Sequence, residues 1–466
     1  MNLNCALILA AGEGTRMKAD CPKVLTEVLF KPMLDWVIDA AQQGGVEDIC
    51  IVTGHKHEII DEHLGGKFNT VIQTERLGTG HAVMQAKKFI EEHKFGNILI
   101  LNGDAPLMDS ETIRSAYEYH TAKNNAVTII SARIPNPFGY GRIIRSREGV
   151  LKKIVEEKEA APAEKIVNEV NSGAYWFSCS VLLEALEGIV EIHDKKGGKQ
   201  KEYYLTDAIE VIIKKGLNAV AYETESEDVV RGANDRAQLQ ELNEIARRKV
   251  MRKHLINGVS IPCADGVIIG PEVEIGDNTE ILPGTIIKGK TVIGKRCNIG
   301  PNTFIEDSTI ESNVTLNSVQ CFSSTVKKGA SVGPFSRIRP NSVIGEGVKA
   351  GNFVEFKNAN IGANTSVAHL TYIGDADVGS NVNFGCGCAT ANYTGKDKHR
   401  TTVGDNAFIG CDSCLVAPVK VGNNAYTAAG SVITEDVPDD ALALARSKEV
   451  IKKDWVNRKK PYKWQK

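Results

Sequence analysis

From residue 269 onward an isoleucine returns every six residues without a miss: Ile269, Ile275, Ile281, Ile287, Ile293, Ile299 and Ile305. The period resumes at Val326, Val332, Ile338 and Ile344, then at Ile361, Val367 and Ile373. A last run is Val403, Ile409, Leu415, Val421, Thr427 and Ile433. An α-helix of about 3.6 residues per turn shows no constant face at that spacing, and a hairpin meander gives no reason for it. Short strands on flat faces joined by tight corners do, which describes a parallel β-helix. Glycine often follows the apolar position (270, 276, 294, 300, 362, 374, 404, 410, 422), so the corners are expected to be glycine-tolerant. Breaks in the period, above all near 386–402, are expected to be places where loops leave the coil. Insertions in such arrays cluster on binding faces.

The first 230 or so residues have another grammar. The runs CALILAA (5–11), DICIVTG (48–54), NILILNGD (97–104) and AVTIISAR (126–133) are near-continuous in apolar residues, as parallel strands buried on both faces are. Segments 79–93 and 109–123 lie between them with helical spacing. Alternating strands and helices indicate a doubly wound α/β sheet, which binds ligands outside the carboxyl ends of its strands. Two loops fall at such ends, LAAGEGTR (9–16) and LNGDAP (101–106). Gly12 and Gly14 suit a backbone that approaches a phosphate closely. Neither common phosphate fingerprint fits, because Met17 stands where one needs its third glycine and the other its second. Residues 235–256 read as a connecting helix. Asp235 is its cap with Gln238 three residues on, Leu239, Leu242 and Ile245 form its apolar face, and Gly258 ends it.

A chain of 466 residues implies two or three domains. With 56 basic and 58 acidic residues there is no global field to draw in nucleic acid or a membrane surface. No Lys or Arg precedes the short N-terminal apolar run, which argues against a signal peptide, and no window approaches the roughly 18 apolar residues of a membrane span. Eleven unevenly spread cysteines read as reduced thiols, and the expected compartment is the cytoplasm.

Longer motifs add to this reading. LAAGEGTRM with PKVL at 22–25 is followed by QTERLGTGHA (73–82), NGDAPL (102–107), GYGRI (139–143), IVEEK (154–158), EVNSG (169–173) and GAND (232–235). The second half carries RIRP (337–340), GNFVEFK (351–357), AHLTYIGDADVG (368–379), ANYTG (391–395) and LVAPV (415–419). Over nearly its whole length the chain resembles the bacterial bifunctional N-acetylglucosamine-1-phosphate uridylyltransferase and glucosamine-1-phosphate N-acetyltransferase family. The resemblance implies a Rossmann-like nucleotidyltransferase domain at 1–236, a linker helix at 237–257 and a left-handed hexapeptide β-helix at 258–466. It also implies a cytoplasmic homotrimer that makes UDP-N-acetylglucosamine for cell-wall synthesis, without nucleic-acid or membrane partners. The implied substrates are UTP, glucosamine 1-phosphate, N-acetylglucosamine 1-phosphate and acetyl-CoA.

Transfer at the α-phosphorus of UTP requires alignment and neutralisation of spreading negative charge. The resemblance gives Arg16 and Lys23 that role, and Asp104 with Asn234 the Mg²⁺. Asp104 also reads as a turn residue before Pro106. Leu9, Ala10, Ala11, Gly12, Lys23, Gln73, Gly78, Thr79, Gly141, Glu156, Asn171 and Asn234 match positions that hold UTP or UDP-N-acetylglucosamine. Glu156 by itself sits in what reads as a solvated charge run. Asn102 stands where the family often has tyrosine.

Acetyl transfer to an amine needs a base that titrates near neutrality. Of the two histidines after residue 260, His399 lies among charges in TGKDKHR, whereas His369 follows the period-bearing Val367 by two positions. The resemblance makes His369 the base. It places Arg339, Lys357, Tyr372 and Asn383 around the sugar phosphate, and Cys386, Asn392, Tyr393, Cys411, Ala429 and Arg446 around acetyl-CoA. Cys386 and Cys411 replace a common alanine and serine; with Cys388 and Cys414 their spacing also admits zinc. A one-reaction nucleotidyltransferase with the coil as a mere assembly module is the main competing reading; His369 and the 391–402 insertion argue against it. The basic C-terminus NRKKPYKWQK reads as a solvated tail.

Overall fold

The computed structural model describes residues 4–195 and 202–461. It divides into two compact units, Met1–Lys249 and Val250–Lys466. The division falls within the long helix Arg236–Ile256, beyond the expected 236 boundary.

Unit 1 is built on a sheet in the order 219–223, 127–133, 169–178, 97–102, 5–9, 48–53, 69–72. Along this order the strands pair in parallel except Glu169–Ser178, which runs antiparallel to both neighbours, and the antiparallel pair Arg142–Arg145 and Leu151–Val155 is added beside it. The sheet is therefore mixed rather than uniformly parallel. Alternate residues of each central strand serve opposite cores. Cys5, Leu7, Ile98 and Ile100 enter one, and Ala6, Ile8, Leu99 and Leu101 the other. Cys5–Leu9 lies between Asp48–Thr53 and Asn97–Asn102, so the chain turns to either side of it and opens a crevice beyond Leu9. The glycine loop leaves from that point. The expected 79–93 helix forms as two, Thr79–Gln85 and Lys87–Glu92, and 109–123 as Ser110–Ala122 capped by the Asp109 side chain.

The linker helix follows its sequence pattern. Asp235 Oδ1 accepts the Gln238 N–H at 2.9 Å, and Leu239, Leu242 and Ile245 are buried. The Asn243 side chain also accepts the Leu29 N–H at 2.8 Å, which binds the helix into unit 1.

Unit 2 is a parallel β-helix. Ile269 pairs with Ile287, Ile275 with Ile293 and Ile281 with Ile299, so one coil takes eighteen residues over three faces. Each face sends a column of aliphatic side chains inward to one core. The breaks in period have two causes. Between Ile305 and Val326 no loop departs: Ile310, Leu316 and Cys321 fill the columns, and corners shortened by one residue shift the count. Ala350 and Phe356 bridge 344–361 in the same way. Among the described breaks in the period, the one between Ala389–Ala391 and Thr401–Val403 leaves the coil. The glycines after the apolar position also need a different explanation. The left-handed corners are taken by Asn and Asp, such as Asn278 (φ 59°), Asn313 (φ 61°) and Asn364 (φ 56°), and by other glycines such as Gly284 (φ 70°); of the nine that follow the apolar position only Gly300 (φ 110°) is left-handed. Gly362 instead admits the next coil: a Cβ there would lie 2.3 Å from the Gly379 carbonyl carbon.

Candidate active sites

In the crevice of unit 1, three polar side chains from distant segments converge. Lys23 Nζ lies 2.5 Å from Asp104 Oδ2 and 2.9 Å from Asn234 Oδ1. Each is held by its backbone. Lys23 begins a short 3₁₀ turn behind Pro22. Gly103 donates its N–H to Leu9 O at 2.9 Å, which fixes the turn that carries Asp104. Asn234 N–H is held by Gln238 Oε1 at 2.7 Å. Gly14 has φ 67°, and a Cβ on it would lie 2.5 Å from Lys23 Cβ. The loop needs glycine there on both counts. Arg16 is exposed at the crevice mouth, and Arg236 Nε ties the loop down through Met17 O at 3.1 Å.

Two cavities share this centre. One, of 430 Å³, is lined by Leu9, Ala11, Gly12, Arg16, Lys23, Gln73, Gly78 and Thr79 among others. The buried Gln73 amide donates to Gly78 O at 3.1 Å, and Gly78, at φ 98°, lies against Tyr203. The other cavity, of 510 Å³, adds Gly141, Glu156 and Asn171. Asp104, Asn234 and Asn102 line both. Burial, then the carboxylates of Glu159 and Asp207, push the Glu156 carboxyl up, so Glu156 is not the solvated residue its neighbours suggest. Asn171 donates to Tyr175 Oη at 2.7 Å, and burial pushes that phenol up as well.

Ala10 does not join this lining. Its side chain is buried in the core and its N–H bonds to Val52 O at 2.8 Å. Tyr175, Tyr204 and Thr206 line the larger cavity without having been singled out from sequence. Tyr175 reads as core because it lies in an apolar strand.

In unit 2 the predicted residues follow one edge of the coil. His369 is exposed at the end of Ser366–His369 and pairs with Asn352. Val367 pairs with Phe384 and Phe384 with Ile409, so continued register stacks Cys386 over His369 and Cys411 over Cys386. Around the adjacent corner, Tyr372 pairs with Glu355, whose carboxylate accepts Arg339 Nη1 at 2.9 Å. Lys357 Nζ donates to the buried Asp375 at 2.8 Å, and Asn392 Nδ2 donates to the same oxygen. Burial works to raise the Asp375 carboxyl, but the hydrogen bonds from Lys357, Asn358 and Asn392 override it and hold it below the ordinary range. Asn383 is exposed one rung above Ser366. Ala429 lies farther along, where the Arg446 side chain reaches the neighbouring Gly430, and Tyr393 is exposed in the insertion. The four thiols differ in setting. Cys388 is buried toward Gly410 O, with its thiol pushed up to about 11 by burial, while Cys411 is exposed. Among the described residues no three His, Cys, Asp or Glu side chains form a metal cage.

The nucleotidyl transferase family model matches residues 5–231, and the bacterial transferase hexapeptide model of six repeats matches 272–307 and 400–435. The bifunctional protein GlmU of Caldanaerobacter subterraneus subsp. tengcongensis is 49% identical over 451 residues, 97% of each chain. That of Acetivibrio thermocellus is 45% identical over 454 residues, again 97% of each. The chain belongs to the GlmU family. As a member it is a bifunctional transferase, with uridylyltransferase and acetyltransferase activities. Its GlmU coil is of the left-handed β-helix type. The two family matches leave 308–399 uncovered, the stretch that holds the shortened corners and His369.

No described helix is long and apolar enough to cross a membrane. In the basic tail, residues 457–461 are exposed and 462–466 lie outside the described residues.

Proposed function

We propose that unit 1 transfers uridylyl from UTP to N-acetylglucosamine 1-phosphate, and that unit 2 first makes that acceptor from glucosamine 1-phosphate and acetyl-CoA. The observation that carries the first assignment is the single cation position shared by Asp104 and Asn234. Lys23 Nζ now stands at it. A carboxylate and an amide carbonyl are hard oxygen donors, and that set fits Mg²⁺, which completes its shell with phosphate and water. When bound there, Mg²⁺ supplies neutralisation of phosphate charge.

The remaining work belongs to side chains. Gln73 and Gly78 fix the base end of the nucleotide, and Gly141, Glu156 and Asn171 orient the sugar. The sugar phosphate oxygen then bonds to the α-phosphorus as the bond to the β-phosphate oxygen breaks and pyrophosphate leaves. Lys23 and Arg16 balance charge on the phosphates during that exchange.

In unit 2 the amine nitrogen attacks the thioester carbonyl, His369 takes the amine proton, and the CoA thiol departs protonated. Arg339 and Lys357 hold the sugar phosphate, and Tyr372 and Asn383 the sugar. Asn392, Tyr393, Ala429, Arg446 and the thiols of Cys386 and Cys411 line the acetyl-CoA side. The working form is a cytoplasmic homotrimer with acetyl sites between coils. Phe335 and Phe353 support an apolar contact between copies: they stack with ring centres 5.7 Å apart, are 63% and 57% exposed, and adjoin the exposed Leu370.

Incubation of the purified chain with each substrate set, and with both, tests the whole reading. Product masses must show UDP-N-acetylglucosamine from UTP and N-acetylglucosamine 1-phosphate, and the acetylated sugar phosphate from acetyl-CoA. Absence of either product from folded protein refutes that half.

A further inference from the structure

The strand Tyr372–Val378 carries two aspartates that the reaction scheme leaves without a role. Asp375 is 5% exposed and sits at φ 46°, where the strand rounds a corner. Its Oδ2 accepts from Lys357 Nζ at 2.8 Å and also from Asn392 Nδ2; its Oδ1 accepts from Asn358 Nδ2 at 2.7 Å. Asp377 grips Arg400 in a fork, Nε to Oδ2 at 2.8 Å and Nη2 to Oδ1 at 2.7 Å. Arg400 also donates to Asn358 O at 3.1 Å and Ala376 O at 3.0 Å.

Asn392 and Arg400 are the two ends of the stretch that leaves the coil. One strand therefore holds both feet of the insertion. Asp375 does more, because Lys357 belongs to the preceding coil. One carboxylate oxygen joins a cation on the sugar-phosphate side to an amide on the acetyl-CoA side. Charge-assisted bonds of this length fix geometry tightly, and loss of one partner of a buried pair strands the other.

We propose that Asp375 is a positioning residue that sets Lys357 and Asn392 together, and that Asp377 with Arg400 fixes the far end of the 392–400 insertion. The insertion is thereby held open over the coil as a preformed wall, and the two substrate sides are coupled through Asp375. This rests on the placement of Lys357 and Asn392 under Proposed function.

The test uses full-length protein. Asp375→Asn keeps the shape and removes the charge. KM is expected to rise about tenfold for both glucosamine 1-phosphate and acetyl-CoA, with uridylyl transfer unchanged. A purely structural role would lower active protein without raising both KM values. Lys357→Gln supplies a second readout if Asp375→Asn fails to fold. It also removes a bond to Lys398 in the loop, so Lys398→Ala is the control: hydrogen exchange at the amides of 393–397 is expected to quicken in Lys357→Gln and not in Lys398→Ala. A rise in only one KM, or unchanged exchange in Lys357→Gln, overturns the coupling. Full acetyl transfer in both Lys357→Gln and Asn392→Ala would instead overturn the site placement itself, whatever the exchange shows.

Discussion

The two units assemble their candidate site residues by opposite means. In unit 1, Lys23 meets an asparagine 211 positions away, and the cluster exists only after the sheet has closed and the loops have docked. In unit 2, partners such as Lys357 and Asp375 are 18 apart, one coil, and stacking alone brings them together. Unit 1 gains a crevice with two lobes. Unit 2 gains a precise edge, and its walls must come from an insertion or from another copy. A site made by long-range closure depends on many segments, whereas one made by stacking depends on local register.

The sharpest way to break this comparison is to disable each centre in turn. Asp104→Ala should lower uridylyl transfer by about 10³-fold or more by removing the anionic oxygen of the proposed cation site. His369→Ala should lower acetyl-transfer kcat by about 10²–10⁴-fold. Each substitution should spare the other reaction, and paired steady-state assays check this. Equal loss of both activities in folded protein would show that the centres are not independent.

Truncation probes how far closure extends. A fragment ending at 236 loses Leu239, Leu242 and Ile245, each worth roughly 1.5–3 kcal/mol when fully buried, and the Asn243 bond to Leu29. It should unfold at clearly lower urea than a fragment ending at 249. Equal midpoints would place the true boundary at 236.

Acid should loosen unit 1. His120 is buried, bonded to Thr128 Oγ1 at 3.0 Å, and burial lowers its pKa from 6.5 to about 4. A depressed folded value means the stabilisation is complete above about pH 6.5. It is lost as pH falls toward 4, because only the unfolded chain takes up the proton. The loss should be on the order of 1–3 kcal/mol. Urea melts followed through the buried Trp176 should show it, and His120→Gln should flatten the dependence over that window.

The smallest effect concerns the glycine loop. Gly14→Ala forces a left-handed residue against the Lys23 stem. It should cost uridylyl transfer about tenfold, from roughly 1–2 kcal/mol of strain, and leave acetyl transfer alone. A normal rate would mean the loop tolerates movement of Lys23.

Much of this was legible beforehand. The strand runs at 5–11 and 97–104 ended where the crevice opens, and Asp235 capped the helix as its spacing implied. Other readings failed for physical reasons. Gly362 was read for its backbone freedom, but the requirement is the closeness of the next coil. The gaps after Ile305 looked like loops because a corner shortened by one residue moves the period without leaving the coil. At Ala10, expected beside the nucleotide, strand alternation turns the side chain to the core and leaves only its backbone toward the crevice.

By itself the sequence determined the coil, the α/β half and the ends at which chemistry could sit, because hydrophobic periodicity is a local property of the chain. Tertiary structure decided which polar groups meet. That Asn234 returns to Lys23, or that one oxygen of Asp375 serves both Lys357 and Asn392, follows from backbone closure and coil register. Those depend on every intervening corner, and no local pattern encodes them.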